Sequence, residues 1–175
     1  MLKPGDAAVP FDLPCAFDDR VSHLSLAGIR SELVVMFFYP HDFSFICPTE
    51  VVGFDRAQAA FKAEQTSIVA VSVADAETHR RWARELGGIS YPLLADEGGR
   101  LAQAYGVFDE TARVALRATF VLDAKRTVAY VVASPVNVGR SVSETLRVVR
   151  ALRTGKLCPA DWEPGGESGP ADLKY

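Results

Sequence analysis

The stretch Leu33-Val34-Val35-Met36-Phe37-Phe38-Tyr39 is the longest apolar run of the chain and decides its class of fold. A strand that is apolar on both alternate faces has to be covered by a layer on each side, as the central strand of an α/β sheet is. Pro40 ends the run. A membrane span would need about 18 or more apolar residues, so this run is too short for one. The sequence therefore predicts a buried strand at the centre of a sheet.

Helix and strand patterns alternate after this run. Pro48-Thr49-Glu50 is typical of a first helical turn, because proline tolerates that position and glutamate favours the positive end of the helix dipole. A second strand pattern covers residues 67–73, and Asp75 can cap a helix that ends at Gly87-Gly88. The order strand, helix, strand, helix predicts two parallel strands with a right-handed crossover.

The second half of the chain predicts a hairpin followed by a helix. Residues 118–123 and 127–133 are short apolar strands with a connection of few residues. Ser141-Val142-Ser143-Glu144 is a capping box, and the helix that follows extends to Gly155. The order from residue 33 is βαβα, an irregular stretch, then ββα. This order predicts a thioredoxin-like fold of the α/β class, with a central mixed sheet flanked by helices.

The length of 175 residues indicates one domain with short appendages. Residues 1–30 suggest an extended N-terminal arm or hairpin, and we assign residues 1–155 to the domain. The C-terminal tail, residues 156–175, carries Cys158 and is rich in glycine and proline with few large apolar side chains. Such a segment cannot build a core of its own.

Composition and charge exclude several function classes. The chain has 19 Lys and Arg against 22 Asp and Glu, so its net charge near −3 attracts neither nucleic acid nor an anionic membrane. The start of the sequence has no apolar signal core, and we expect a cytoplasmic protein. Three cysteines are too few for a secreted disulfide framework. The three histidines have no metal-ligand spacing, so we expect no metal site.

Cys47 is the candidate for chemistry because it stands where a helix begins. The positive end of a helix favours the thiolate, and its backbone N–H groups can hold an anion. Ser44 lies three residues earlier, and its hydroxyl can donate a hydrogen bond to the sulfur or to a bound oxygen. Pro40 can screen the sulfur from water. An inert loop thiol remains the alternative, since location alone does not make a cysteine reactive.

The segment from Pro40 to Cys47-Pro48-Thr49-Glu50 resembles the active-site signature of peroxiredoxins, Pro-x-x-x-(Thr/Ser)-x-x-Cys, in its serine form. Three further segments are similar to motifs of that family: residues 116–123, which contain Arg117; residues 137–141, which contain Arg140; and residues 158–165, which begin with Cys158. The last similarity implies the typical two-cysteine subfamily of the alkyl hydroperoxide reductase C type.

The resemblance implies roles for individual residues. Cys47 would be the peroxidatic thiolate, and Pro40, Ser44 and Arg117 would complete its site. The charged pair that supports this site in the family corresponds to Glu50 and Arg140. Cys158 would be the resolving cysteine, contributed by the neighbouring subunit of a homodimer that assembles into a ring. A hydroperoxide would be the substrate, and a thioredoxin-like or flavoprotein-linked dithiol would be the reductant. The family needs no cofactor.

Two other functions stay open at this stage. A thioredoxin-type disulfide oxidoreductase would need Cys-x-x-Cys, but Glu50 occupies the second cysteine position. A non-enzymatic role as a holdase or scaffold can coexist with peroxidase activity.

Cys15 has no matching role in the family and lies among apolar residues, so we interpret it as a packed thiol. His41 is interpreted as a solvated loop residue.

The sequence also predicts resistance to over-oxidation. Sensitive members of the family carry a Gly-Gly-Leu-Gly loop and a C-terminal helix that ends in Tyr-Phe. Here the loop reads Gly87-Gly88-Ile89-Ser90, and Tyr175 is the last residue, with no phenylalanine after it. We therefore expect a weaker cover over the helix that begins at Cys47, and faster capture of the sulfenic acid by Cys158.

Overall fold

The computed structural model describes residues 1–171. In chain order the elements are β1 (Asp12–Phe17), β2 (Arg20–Ser25), β3 (Leu33–Phe38), α1 (Cys47–Ala63), β4 (Thr66–Ser72), α2 (Ala76–Glu85), β5 (Leu93–Ala95), α3 (Arg100–Ala104), β6 (Phe108–Asp109), β7 (Val114–Ala115), β8 (Arg117–Leu122), β9 (Val128–Ser134) and α4 (Val142–Thr154). Among these helices, no segment is both long enough and apolar enough to cross a membrane.

A mixed sheet of seven strands in the order β2-β1-β5-β4-β3-β8-β9 organises the fold. β3 pairs in parallel with β4 and antiparallel with β8, so the predicted central strand has neighbours on both sides. Its residues alternate between two separate cores: Val34, Met36 and Phe38 pack on one face, and Val35 and Phe37 on the other. The prediction of a strand buried on both faces is confirmed.

The two predicted N-terminal caps, Asp75 and Ser141, stand at the starts of α2 and α4. The Asp75 carboxylate accepts a hydrogen bond from the Thr78 N–H at 2.8 Å, and the Ser141 hydroxyl accepts from the Glu144 N–H at 3.1 Å. Gly155 caps the end of α4, and its φ of 62° lies in the left-handed region that suits glycine. These local signals define helix ends because they satisfy backbone groups that have no partner inside the helix.

The hairpin expected in residues 1–30 is formed by β1 and β2, and β1 also pairs antiparallel with β5. The stretch that the sequence pattern left irregular contains β5, α3 and the small β6–β7 sheet. A strand of three residues and a helix of five are too short to show a period, which is why the pattern missed them. β5 lies between β4 and β1 in the sheet. The structure therefore adds a strand between the predicted parallel pair and the N-terminal hairpin.

The described part of the tail, residues 156–171, packs against the body of the protein. Trp162 is buried, and its carbonyl oxygen accepts a hydrogen bond from Arg147 of α4 at 3.1 Å. Leu157 pairs with Gly169 across a short antiparallel bridge. The tail packs against α4, as expected of a segment that has no core of its own. The boundary at residue 155 stays a prediction.

Candidate active site

The loop of residues 39–46 joins the end of β3 to the start of α1 and carries the sequence motif. Cys47 is the first residue of α1, followed by Pro48 at a position where the missing N–H costs no helical bond. The cysteine is fully buried. Its sulfur therefore lies at the positive end of a helix of 17 residues and away from bulk water.

Arg117 reaches the sulfur from the adjacent strand. It is the first residue of β8, and Ala118 beside it pairs with Phe38 at the end of β3, so the sheet places Arg117 next to the loop. One terminal nitrogen of its guanidinium lies 3.3 Å from Cys47 Sγ, and its Nε donates to the carbonyl oxygen of Val136 at 2.8 Å. A buried cation thus contacts the cysteine sulfur directly.

Glu50 connects this cation to a second one. Its Oε2 accepts from Arg117 at 2.7 Å and from Arg140 at 3.2 Å, and its Oε1 accepts from the Arg140 side chain at 3.0 Å and backbone N–H at 2.9 Å. The three side chains are at most 4% exposed. Two cations and one carboxylate leave one positive charge, so a Cys47 thiolate makes the cluster neutral.

Arg140 ties together the elements around the site. Its guanidinium donates to the carbonyl oxygens of Phe38 at 2.6 Å and Ala118 at 3.0 Å, and it lies 5.1 Å from the centre of the Phe37 ring. Burial lowers the pKa of Arg140 below its ordinary value, whereas the Glu50 carboxylate acts in the opposite direction. Arg140 therefore fixes the entry to α4 against β3 and β8.

The structure places Ser44 and Pro40 in the same loop but gives the hydroxyl a different partner from the one expected. Ser44 Oγ accepts from the Cys47 backbone N–H at 3.3 Å and donates to the His41 carbonyl oxygen at 3.2 Å. In this arrangement it braces the start of α1 instead of bonding the sulfur. Pro40 is buried, and His41 is exposed as interpreted from the sequence.

Cys158 lies just beyond the end of α4, and the site lies near the start of that helix. Its sulfur is 3.4 Å from Thr154 Oγ1 and 3.8 Å from the Ala151 carbonyl oxygen, both in the last turn of α4. The thiol is half-buried, in contrast to the fully buried Cys47. Both are free thiols.

The packing of α4 on α1 shows that the two sulfurs are at opposite ends of the helices. Arg140, just before α4, bonds Glu50 in the first turn of α1. Arg150, near the end of α4, forms an ion pair at 3.2 Å with Glu64, which caps the end of α1. The helices therefore run side by side in the same direction. Since 17 helical residues span about 25 Å, Cys158 lies roughly 20 Å from the Cys47 of its own chain.

The interpretation of Cys15 as a packed thiol is confirmed. It is 2% exposed in β1, and its sulfur contacts the Ser22 hydroxyl at 3.3 Å within the hairpin. It takes no part in the cluster around Cys47.

Sequence reasoning missed a buried polar cluster behind the loop. Asp42 accepts a hydrogen bond from the Tyr39 hydroxyl at 2.8 Å and contacts His79 Nδ1 at 2.7 Å. A signal for it was present: His79 lies three residues after Ala76 and three before Trp82, on the buried face of α2. A histidine on an apolar helix face needs a buried hydrogen-bond partner. In the sequence the histidines are compared only with metal-ligand spacing, and that spacing does not identify such a partner.

Comparison with known proteins agrees with the fold and with the site. The model of the AhpC/TSA family matches residues 4–131. Mouse peroxiredoxin-2 is 36% identical over 174 residues, covering 94% of this chain and 88% of that protein. The reduced 2-Cys peroxiredoxin of Plasmodium vivax superposes with a TM-score of 0.89 at 30% identity, covering 96% of this chain and 93% of that one. Mycobacterium tuberculosis AhpC gives 0.84 at 29% identity, with 93% and 99% covered.

The chain has a thioredoxin-like sheet with a buried cysteine at the start of a helix, and its relatives are peroxiredoxins. Together these findings assign the protein to the class of thiol-dependent peroxidases. The predicted thioredoxin-like fold is confirmed. The chain belongs to the AhpC/TSA family and is a peroxiredoxin of the AhpC type.

The buried network predicts a large effect on stability when its carboxylate is neutralised. Glu50→Gln removes the carboxylate that pairs with the two buried guanidinium groups of this cluster, so the free energy of unfolding should fall by about 3 to 5 kcal/mol. Glu32→Gln is the matched control: Glu32 pairs with Arg153 but is 61% exposed, and a change of at most about 1 kcal/mol is expected. Urea denaturation followed by circular dichroism measures both. Equal small changes in the two variants would contradict this assignment.

Proposed function

We propose that this protein is a typical two-cysteine peroxiredoxin that reduces hydrogen peroxide and alkyl hydroperoxides through Cys47. The observation that carries the proposal is the contact of 3.3 Å between Arg117 and Cys47 Sγ, inside a buried network with Glu50 and Arg140. This network provides a fixed cation where a thiolate and a polar transition state would both be stabilised.

In the first step the Cys47 thiolate attacks the terminal oxygen of the hydroperoxide. A sulfur–oxygen bond forms, the O–O bond breaks, and the leaving alkoxide or hydroxide takes a proton to give alcohol or water. Cys47 is oxidised to sulfenic acid and the peroxide is reduced. Arg117 stabilises the charge that spreads over the two oxygens, because its planar group has several donors and already lies at the sulfur.

Ser44 and Pro40 shape the site from the loop. The Ser44 hydroxyl holds the backbone N–H of Cys47, so it sets the position of the sulfur relative to Arg117. When peroxide is bound, a rotation of this hydroxyl offers a hydrogen bond to an oxygen. Pro40 is buried and excludes water from the same pocket.

In the second step the Cys158 thiol of the neighbouring subunit attacks the sulfenic acid, which gives a disulfide and water. The separation of the two cysteines along α1 and α4 supports a partner in another chain, because roughly 20 Å cannot be bridged by a disulfide with Cα atoms about 6 Å apart. A homodimer is then the smallest functional unit, and we extend the proposal to a ring of dimers.

An external dithiol restores both thiols, and we propose a thioredoxin-like or flavoprotein-linked protein as its source. The cytoplasmic location expected from the sequence stays a prediction. A role as a thioredoxin-type oxidoreductase is disfavoured by the place of the second cysteine, since Glu50 is engaged with two arginines where that activity needs a thiol.

The disulfide pairing is tested by exposing the reduced protein to one equivalent of peroxide. We expect a covalent dimer on a nonreducing gel, and peptide mapping should join Cys47 to Cys158 of a different chain. Cys158→Ser should consume about one equivalent of peroxide per chain and then stop, because no resolving thiol remains. The matched control, Cys15→Ser, should turn over normally. A bond within one chain would overturn the two-subunit mechanism.

The role of the cation is tested with Arg117→Met. Loss of a charge-assisted contact worth about 1.5 to 3 kcal/mol should slow the oxidation of Cys47 by roughly 10- to 150-fold in stopped-flow measurements with hydrogen peroxide. Arg81→Met, which removes an exposed arginine from α2, should keep the wild-type rate. An unchanged rate in Arg117→Met would mean that this guanidinium does not assist the reaction.

Resistance to over-oxidation is tested by intact-mass analysis during turnover at rising peroxide. Ser90 bonds Asp55 at 2.6 Å through its hydroxyl, so this contact of the glycine loop with α1 lies about two helical turns beyond Cys47 and not at the first turn. The other expected difference, at Tyr175, lies outside the described residues. We expect disulfide to exceed sulfinic acid at low millimolar peroxide. If sulfinic Cys47 predominates, the expectation of a weaker cover over the helix that begins at Cys47 is wrong.

A further inference from the structure

The cluster of Tyr39, Asp42 and His79 fastens the active-site loop to the helix layer. Asp42 lies in the middle of the loop of residues 39–46, whereas His79 belongs to α2. The His79 ring is fully buried and the Asp42 side chain is 3% exposed. Because its oxygens contact both Tyr39 and His79, the loop is fixed at a point between β3 and Cys47.

The hydrogen bonds determine how many protons Asp42 and His79 hold together. His79 Nε2 lies 3.1 Å from the Leu94 carbonyl oxygen, which only accepts, so Nε2 carries a proton. The 2.7 Å between His79 Nδ1 and Asp42 Oδ2 requires a second proton between these atoms. The pair is therefore neutral as a whole, whether as imidazolium and carboxylate or as two uncharged groups. Burial raises the pKa of Tyr39 well above its ordinary value, so Tyr39 remains a donor.

The residue after Asp42 has a strained backbone. Phe43 has a φ of 54°, in the left-handed region that a bulky side chain rarely adopts. Strain of this kind persists where neighbouring contacts hold the chain in place. On one side of Phe43 the Asp42 contacts supply that hold, and on the other Ser44 is bonded to the backbone of Cys47. Without the first contact, the loop can relax away from its present position.

We propose that the proton shared by His79 and Asp42 positions the loop that brings Cys47 to Arg117, and that it slows the opening of this loop after Cys47 is oxidised. This role rests on the proposed function of Cys47. While the loop is closed, the sulfur stays beside the guanidinium and can react with peroxide. Once oxidised, the sulfur has to leave that place to meet the resolving thiol. His79 acts through Asp42 and is a positioning residue.

The test compares His79→Leu with two other variants. His79→Leu removes both ring nitrogens and their hydrogen bonds, so oxidation of Cys47 by hydrogen peroxide should slow by more than about tenfold because the sulfur is displaced. The ratio of disulfide to sulfinic acid at a given peroxide concentration should rise, since the loop opens sooner. His23→Leu is the matched control, because His23 forms an exposed pair with Asp12 on the β1–β2 hairpin. Both readouts should stay at wild-type values in that control.

Asp42→Asn is the conservative variant. Its amide group can donate to an uncharged His79 Nδ1, and its oxygen can accept from Tyr39, so every hydrogen bond of the cluster is kept. The rate and the ratio should therefore stay within about fivefold of wild type. Slower oxidation in His79→Leu with an unchanged product ratio would overturn the proposal, as would an equally severe loss in Asp42→Asn.

Hydrogen exchange separates this proposal from the proposed function. In the reduced protein, residues 41–50 should exchange faster in His79→Leu than in wild type, whatever the peroxide chemistry. Tyr39→Phe removes the hydroxyl that bonds Asp42 at 2.8 Å and lies 3.3 Å from His79 Nδ1, but it keeps the contact between Asp42 and His79. It should therefore give a smaller change in the same direction if His79→Leu does not fold. Unchanged exchange in Tyr39→Phe and in folded His79→Leu would overturn the loop anchor. A wild-type Cys47 that peroxide does not oxidise would overturn the proposed function instead.

Discussion

The Glu50 carboxylate accepts hydrogen bonds from Arg117 and Arg140 in a region that water does not reach, and the rest of the site depends on this interaction. Each of the three side chains comes from a different part of the chain: the first turn of α1, the start of β8 and the entry to α4. A buried charge is tolerated only when it is paired and hydrogen-bonded, so the three parts have to meet in one geometry. The positive charge left over lies at Cys47, which connects the stability of the fold to its chemistry.

Much of the fold could be predicted because its signals are local. The apolar run that became β3 and the caps at Asp75 and Ser141 each act within a few residues. The part that escaped prediction is short and is held by tertiary contacts: β5 has three residues and is a strand because β4 and β1 lie on either side of it. Sequence periodicity carries no information about such neighbours.

The candidate site was predictable to a similar extent, for a different reason. The spacing of Ser44 and Cys47 ahead of a helix is a chemical pattern, and its resemblance to a family motif pointed to distant partners such as Arg117. Two features are visible only in the three-dimensional structure. The Ser44 hydroxyl bonds the backbone of Cys47, and the buried contact between Asp42 and His79 joins residues 37 positions apart. Donor and acceptor geometry decides both, and a one-dimensional pattern does not contain it.

We propose that Glu50 serves the reaction by holding two arginines in place and not by the effect of its own charge on the sulfur. The most direct test is the rate of Cys47 oxidation by hydrogen peroxide in Glu50→Gln, measured by stopped flow on protein shown to be folded. By Coulomb's law alone, removal of a negative charge near the sulfur favours the thiolate and raises the rate. We expect the opposite: the rate should fall by more than about tenfold, because Arg117 loses the partner that fixes it. A rate equal to or above that of the wild type would contradict the claim.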